Sequence, residues 1–151
     1  MSKALDNLKD KDLVYACWLT RKEASSTLNA PHNHISQNAS LRVNDQELKN
    51  RKSLGLTPAW RLNIKNCLKY INSQKEKIYW EDIKQGKNLL NLDQFGDVII
   101  ARKDILTSYH LSVTVDDNSD GVTHIIRGND LESYTNICLL YTSPSPRDQL
   151  Q

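Results

Sequence analysis

The sequence predicts a soluble α/β domain, and three observations support this fold class. The chain has 151 residues, 38% of them hydrophobic and 25% charged, which is typical of one globular domain. Short apolar runs with strand character alternate along it with segments of helical spacing. No stretch approaches the roughly 20 consecutive apolar residues of a membrane helix, and the N-terminus lacks the apolar core of a signal peptide. We therefore expect a cytoplasmic protein with no membrane span.

The first elements are a helix, a strand and a second helix. Residues 3–11 place their apolar side chains on one helical face, and residues 13–18 form a short apolar run typical of a strand. Thr20 and Glu23 have the spacing of a capping box, in which the hydroxyl and the carboxylate each bind a free backbone N–H group. A helix is therefore expected to about residue 28.

A polar loop over residues 29–41 separates this part from the next helix. Asn44 or Asp45 is a suitable N-cap for that helix, which we expect to run to Leu54. Gly55 then takes the position after the C-cap, where a left-handed backbone conformation is common.

The remaining strands are expected at 60–64, 78–80, 98–101 and 122–126, with a polar connection that contains Gly86 between the second and third. The segment from residue 108 fits either a strand or a helix, because its apolar residues satisfy both spacings.

Cysteine spacing and charge limit the function classes. Cys17, Cys67 and Cys138 are an odd number at wide spacing, so reduced thiols are expected rather than a disulfide framework. Residues 1–103 carry 18 Lys and Arg against 11 Asp and Glu, whereas residues 104–151 carry 2 against 7. A basic flank suits a polyanionic partner, and solvated helix faces explain the same pattern equally well.

Three long segments carry a family resemblance. Residues 97–104, 107–117 and 121–131 resemble the catalytic domain of class I glutamate-activating synthetases. Within that group, residues 58–62 and the sequence from Arg127 to Leu131 are more similar to glutamyl-Q tRNA(Asp) synthetases than to ordinary glutamyl-tRNA synthetases. The resemblance covers roughly residues 4–137.

The resemblance implies a ligase that uses ATP as a substrate, together with Mg, to form glutamyl-adenylate. The enzyme then transfers the glutamyl group to the queuosine base of tRNA(Asp). It implies the second half of a Rossmann-type catalytic domain over residues 95–138 and an inserted α+β subdomain over residues 1–94. We expect a monomer. The alternatives are an ordinary glutamyl-tRNA synthetase and a non-catalytic tRNA-binding module.

Tyr109 and Arg127 match the glutamate-binding residues of the family. Glutamate carries two carboxylates, and a guanidinium offers a planar fork that fits such groups. Arg127 is expected directly after a strand, next to Gly128, where open α/β sheets place ligands. Tyr109 supplies a hydroxyl beside an apolar ring. A surface salt bridge and a core tyrosine are the alternative roles of these two residues.

The other polar residues of the matched segments are not expected to act in catalysis. One of the adjacent acids Asp116 and Asp117 is interpreted as a capping or cavity-lining residue, because neighbouring side chains seldom converge on one ligand. His110 and His124 are interpreted as framework residues, since adenylate formation needs positioning and charge neutralisation more than a proton shuttle.

Zinc is common in the resembled family, but its ligand pattern is broken in this sequence. Cys17 is kept, whereas Leu19 stands where the family has a second thiolate, and residues 29–57 contain no cysteine. A structural zinc site needs four ligands. Cys17 together with His32 and His34 is a weak substitute, so we expect no metal.

Neither a HIGH-type nor a KMSKS-type signature occurs in the chain, although class I synthetases use both at the ATP phosphates. In the family they lie outside the region matched here. We therefore expect an incomplete fragment that does not support ATP–pyrophosphate exchange. Residues 139–151 resemble translated sequencing-adaptor read-through and are expected to be a non-native or disordered tail without function.

Overall fold

A computed structural model describes residues 2–20, 22–24, 43–73, 77–101 and 108–142. The α-helices are α1 (Ser2–Asp10), α2 (Asp45–Ser53), α3 (Ile64–Ser73), α4 (Tyr109–Ser119) and α5 (Thr135–Thr142), with a short 3₁₀ helix at Asn129–Leu131. The strands are β1 (Val14–Cys17), β2 (Ala59–Leu62), β3 (Tyr79–Asp82), β4 (Gly86–Leu89) and β5 (Ile99–Ala101).

The central sheet has three antiparallel strands in the order β1-β2-β5. Val14 lies opposite Leu62 across the first pair, and Trp60 lies opposite Ala101 across the second. Because side chains alternate between the faces of a strand, this register directs Val14 and Leu62 to the same face, where both are buried. The sheet therefore contributes one apolar face to the core.

Strands β3 and β4 form a separate antiparallel hairpin. The Asp82 carboxylate accepts hydrogen bonds from the backbone N–H groups of Lys84 at 2.8 Å and Gln85 at 2.7 Å, and these bonds shape the turn. Gly86 follows with φ +81°, a conformation that favours glycine. The sequence predicted β3 but not β4, because the sequence Gly-Lys-Asn-Leu has little strand propensity of its own.

The core lies between this sheet face and the helices. Its buried side chains come from four of the five helices named above, all three central strands, the residue before β1 and the loop after β4, and they are Leu5, Leu8, Leu13, Val14, Leu62, Ile64, Cys67, Leu90, Leu92, Ile100, Ala101, Leu111, Ile137 and Leu140. Helix α2 buries no residue. Polar contacts therefore contribute to holding α2 in place.

Local signals in the sequence predicted several elements correctly. The capping box forms as expected, with the Thr20 N–H donating to Glu23 at 2.6 Å and the Glu23 N–H donating to the Thr20 hydroxyl at 3.3 Å. Residues 22–24 are helical, and the rest of the helix expected to residue 28 lies outside the described residues. Asn44 caps α2 through the Glu47 N–H at 2.8 Å, and Gly55 has φ +69°.

The structure contains one helix that the sequence did not predict and one in a segment that the sequence left ambiguous. Helix α3 was not predicted, although Ile64, Cys67 and Ile71 recur at helical spacing within it. The segment from residue 108, which fitted either a strand or a helix, is helix α4. Its N-cap is Ser108, whose hydroxyl accepts a hydrogen bond from the Leu111 N–H at 3.3 Å.

The strand predicted at 122–126 is wrong. This segment has no regular secondary structure, and its apolar side chains are exposed, to 45% at Val122, 54% at Ile125 and 100% at Ile126. None of the described strands pairs with it. Because a strand depends on backbone hydrogen bonds to a neighbour, high strand propensity alone does not form one.

Residues 139–142, which were expected to belong to the tail, are helical in the structure. Helix α5 continues to Thr142, and Leu140 is buried with only 4% of its surface exposed. Residues 139–142 are thus part of the folded chain, because the apolar side chain of Leu140 packs into the core. Residues 143–151 lie outside the described residues. None of the helices described here is long and apolar enough to cross a lipid bilayer.

Candidate functional site

A cavity of about 290 Å³ opens between α4, the segment from 122 to 127 and α5. Its wall combines apolar side chains with one acid, one arginine and one histidine, and includes Val113, Asp117, His124, Arg127, Leu131 and Cys138. A mainly apolar cavity with a few convergent polar groups is typical of small-molecule sites. The C-terminal part of the chain therefore carries the candidate site.

Arg127 lines this cavity and is half-buried. Its Nη1 donates to the Cys138 sulfur at 3.9 Å, which is a weak contact. In the part of the chain that the structure describes, no carboxylate forms an ion pair with it. Most of the hydrogen-bonding capacity of the guanidinium is thus available to a ligand. Arg127 was expected directly after a strand, but residues 122–126, which precede it, form no strand in the structure. It lies instead just before Gly128, the N-cap of the 3₁₀ helix.

Tyr109 is the first residue of α4. Positions 109, 113 and 117 are spaced four residues apart, which places them along one side of the helix. Val113 and Asp117 line the cavity, so the backbone of Tyr109 belongs to the helix that forms this wall. The Tyr109 side chain lies outside the described part of the structure, and its contact with glutamate stays a prediction.

The structure distinguishes the two adjacent acids. Asp117 lines the cavity and is half-buried, whereas Asp116 is exposed and does not line it. This agrees with the interpretation of one of the two acids as a capping or cavity-lining residue. His124 also lines the cavity, and its Nδ1 lies 2.9 Å from the Thr123 hydroxyl. The side chain of His110 lies outside the described residues.

A second polar cluster is buried in the sheet region. The Tyr15 hydroxyl donates to Asp97 Oδ2 at 2.8 Å, the Ile64 N–H donates to Asp97 Oδ1 at 3.1 Å, and Arg61 Nη1 donates to the Asp97 carbonyl oxygen at 2.7 Å. Asp97 is only 6% exposed. These bonds join β1, β2 and the start of α3 to the segment before β5.

Burial controls the titration of this cluster. It raises the pKa of Asp97, and the hydrogen bonds from Ile64 and Tyr15 oppose that rise only in part. Burial and the nearby Asp97 also raise the pKa of Tyr15 above its ordinary value and that of the Cys67 thiol to about 12. The sequence analysis missed this cluster, because its members lie up to 82 residues apart.

The surroundings of Cys17 bear on the expectation that no zinc is bound. Cys17 is buried, with 1% of its surface exposed. Within the described ranges, no group of three or more His, Cys, Asp or Glu is placed to hold a metal ion. His32 and His34 lie outside those ranges. The described side chains therefore provide no donor set for zinc.

Arg51 joins α2 to the segment after β1. Its guanidinium donates to Glu47 at 2.6 Å, to the Trp18 carbonyl oxygen at 2.6 Å and to both carboxylate oxygens of Glu23, at 2.8 and 3.1 Å. The hydrogen bonds that Glu23 forms with Arg51 and with Thr20 lower its pKa to about 2. Lys52 adds a contact, with its Nζ 5.8 Å from the centre of the Trp18 ring.

The described elements form an α/β fold, and the cavity beside α4 is a candidate small-molecule site. Residues 5–142 match the family of class I tRNA synthetases (E and Q), catalytic domain, and the chain belongs to this family. The resemblance noted in the sequence is confirmed at this level. The match extends through α5 to residue 142.

Named relatives agree with this family. The chain is 31% identical to glutamate–tRNA ligase 2 of Bartonella tribocorum over 128 residues, covering 82% of the chain and 28% of the relative. It is 30% identical to glutamate–tRNA ligase 2 of Brucella melitensis over 141 residues, covering 90% and 31%. The chain thus spans less than a third of the length of these relatives.

Solved structures support the same fold. A glutamate tRNA ligase from Elizabethkingia meningosepticum, in complex with its amino acid, superposes with a TM-score of 0.68 at 18% identity, covering 94% of this chain and 29% of that one. The glutamate-tRNA synthetase of Elizabethkingia anophelis gives 0.64 at 18% identity, covering 93% and 30%. At this identity the likeness establishes the fold.

Proposed function

We propose that the chain takes part in the ATP-dependent activation of glutamate and its transfer to tRNA, with Arg127 binding a glutamate carboxylate. One observation carries the proposal. Arg127 places a guanidinium without an ion-pair partner, among the described residues, in the wall of a cavity suited to a small molecule. A guanidinium binds a carboxylate through two parallel hydrogen bonds. Membership of the class I family supports glutamate as the carboxylate-bearing ligand.

Tyr109 is the second proposed glutamate-binding residue. It begins the helix that forms one wall of the cavity. In this proposal ATP, bound with Mg, is the second substrate, and the glutamate carboxylate would displace pyrophosphate from it to give glutamyl-adenylate before the transfer. No metal is assigned to Cys17.

The direct test compares glutamate binding by the unsubstituted chain and by the Arg127→Gln variant. Calorimetric or NMR titration should show a loss of affinity of about tenfold or more in the variant, because a charge-assisted pair is removed. Lys65→Gln is the matched control. It also removes one positive charge, but Lys65 is an exposed residue of α3 that does not line the cavity. Equal affinity of all three proteins would contradict the proposal.

Two acceptors of the glutamyl group are considered, the queuosine base of tRNA(Asp) and tRNA(Glu), and a different observation favours each. The similarity of residues 58–62 and of the sequence from Arg127 to Leu131 to glutamyl-Q synthetases favours the queuosine base of tRNA(Asp). The names of the relatives, all glutamate–tRNA ligases, favour ordinary tRNA charging. Competition binding with queuosine-containing tRNA(Asp), unmodified tRNA(Asp) and tRNA(Glu) distinguishes them. Preference for the first supports the queuosine hypothesis, and preference for tRNA(Glu) contradicts it.

The non-catalytic alternative gives a different result in the same experiments. The excess of basic residues up to residue 103 suits tRNA binding both by a synthetase and by a non-catalytic module. A tRNA-binding module would bind tRNA in a salt-dependent manner and would show no response to glutamate. Glutamate binding that depends on Arg127 would exclude this alternative.

A further inference from the structure

We infer that Arg61, which does not line the cavity, is a positioning residue that holds the cavity wall through a β-bulge in β5. The strand register shows the bulge. Trp60 lies opposite Ala101. The next residue of β2, Arg61, lies opposite Ile99, so β5 has one extra residue, Ile100, at this point. The inference rests on the proposed function, because the cavity it concerns is the proposed glutamate site.

The bulge joins the central sheet to α4. The backbone carbonyl oxygen of Ile100 accepts a hydrogen bond of 2.8 Å from the N–H group of Ser108, and Ser108 is the N-cap of α4. The Ile100 side chain is fully buried, which fixes the bulge in the core. Helix α4 supplies Val113 and Asp117 to the cavity wall. A shift of the bulge would therefore shift this wall.

Arg61 holds the chain at the entry into β5. Its Nη1 donates to the Asp97 carbonyl oxygen at 2.7 Å, and the Leu62 N–H donates to the Val98 carbonyl oxygen at 2.9 Å. Two successive peptide groups before the bulge are thus bound to β2. Arg61 is only 7% exposed and Asp97 only 6%, so water cannot easily replace the lost donor if Arg61 is substituted.

The side chain of Asp97 is held as well as its backbone. Tyr15 lies opposite Arg61 across β1 and β2, and its hydroxyl donates to Asp97 Oδ2 at 2.8 Å. The Ile64 N–H donates to Asp97 Oδ1 at 3.1 Å. The segment that leads into the bulge is therefore fixed from two neighbouring strands and from the start of α3. This gives β5 a defined position from which the carbonyl of Ile100 binds α4.

The test compares three variants at a temperature where each is folded. Arg61→Gln removes the cationic donor, and Arg61→Lys retains one. Leu5→Ala weakens the core from α1, a helix that supplies no residue to the cavity wall. In Arg61→Gln the glutamate affinity should fall about tenfold and exchange of the Ser108 amide hydrogen should accelerate about tenfold, because the bulge is no longer held. Arg61→Lys and Leu5→Ala should keep the glutamate affinity within about threefold.

The outcomes separate this inference from the function on which it rests. Weakening of glutamate binding in Leu5→Ala equal to that in Arg61→Gln would show a general effect of stability and overturn the positioning role. Unchanged glutamate affinity or unchanged Ser108 exchange in Arg61→Gln would also overturn it, while binding that depends on Arg127 would leave the proposed function standing. Failure of the unsubstituted chain to bind glutamate would contradict both.

Tyr15→Phe provides the same test if Arg61→Gln does not fold. It removes one of the bonds that hold Asp97 and leaves the charges of Arg61 and Asp97 in place. Glutamate binding should weaken about three- to tenfold, and the Ser108 amide hydrogen should exchange faster than in the unsubstituted chain. Unaltered binding and exchange in this variant would overturn the inference.

Discussion

The Tyr15 hydroxyl donates a hydrogen bond of 2.8 Å to Asp97 Oδ2, joining β1 to the segment before β5 across 82 residues of sequence. The same carboxylate caps the start of α3 through the Ile64 N–H. Asp97 therefore fixes the relative position of three elements that no local sequence signal brings together. Its neighbour Arg61 is buried, and the Nε of that residue has no hydrogen-bond partner.

Removal of the Tyr15 hydroxyl tests this connection. In Tyr15→Phe a buried carboxylate oxygen loses its donor, so the free energy of unfolding should fall by about 1–3 kcal/mol. Tyr79→Phe is the control, because Tyr79 is exposed, and it should change stability by less than about 0.5 kcal/mol. Urea denaturation measures both. A change in Tyr15→Phe no larger than in the control would show that the bond does not stabilise the fold.

The raised pKa of Asp97 gives a pH dependence of defined sign. Between its unfolded and folded pKa the native state binds more protons, so this group lowers the free energy of unfolding as pH rises through that interval. Asp97→Asn removes the titration. The stability of the unsubstituted chain relative to this variant should therefore decline from low to high pH in urea denaturation series. A relative stability that increases with pH would contradict the burial of this carboxyl.

Arg51 should control the attachment of α2. Because α2 buries no residue, loss of the contacts to Glu23 and Trp18 in Arg51→Gln should release it locally. Amide hydrogen exchange over residues 45–53 should accelerate roughly tenfold or more, while β2 keeps its protection. Lys49→Gln, an exposed change on the same helix, should leave exchange unaltered. Unchanged exchange in Arg51→Gln would show that other contacts hold the helix.

Two isoleucines, one in the exposed segment 122–126 and one in the core, should respond differently to substitution by alanine. Ile126 is fully exposed, so Ile126→Ala should change the free energy of unfolding by no more than about 0.5 kcal/mol. Ile137 is 1% exposed in the core, so Ile137→Ala should cost about 2–5 kcal/mol. Urea denaturation of both variants gives the comparison. A large effect at Ile126 would mean that the segment packs against other residues.

These contacts show what the sequence could and could not predict. The capping box of Thr20 and Glu23 and the Asn44 cap involve residues three positions apart, so the local sequence specifies them. Strand pairing is not local. Residues 122–126 have strong strand propensity and no partner among the described strands, whereas β4 has weak propensity and is paired with β3.

In the candidate site, too, the sequence predicted what a local motif specifies and missed what depends on the folded structure. The family motif indicated Arg127 and Tyr109, and the structure places Arg127 in the cavity wall with Asp117. The distinction between Asp116 and Asp117 required the helix, because only its geometry decides which side chain lines the cavity. The Arg51 contacts to Glu23 span 28 residues and carried no signal in the sequence.

The central claim is that the Arg127 guanidinium binds a carboxylate of glutamate. The most direct measurement is the NMR signal of the Arg127 side-chain Nε–H group during a glutamate titration, assigned by its absence in Arg127→Gln. The signal should shift progressively and saturate at the glutamate concentration that saturates binding. Saturable glutamate binding that leaves this signal unmoved would contradict the account.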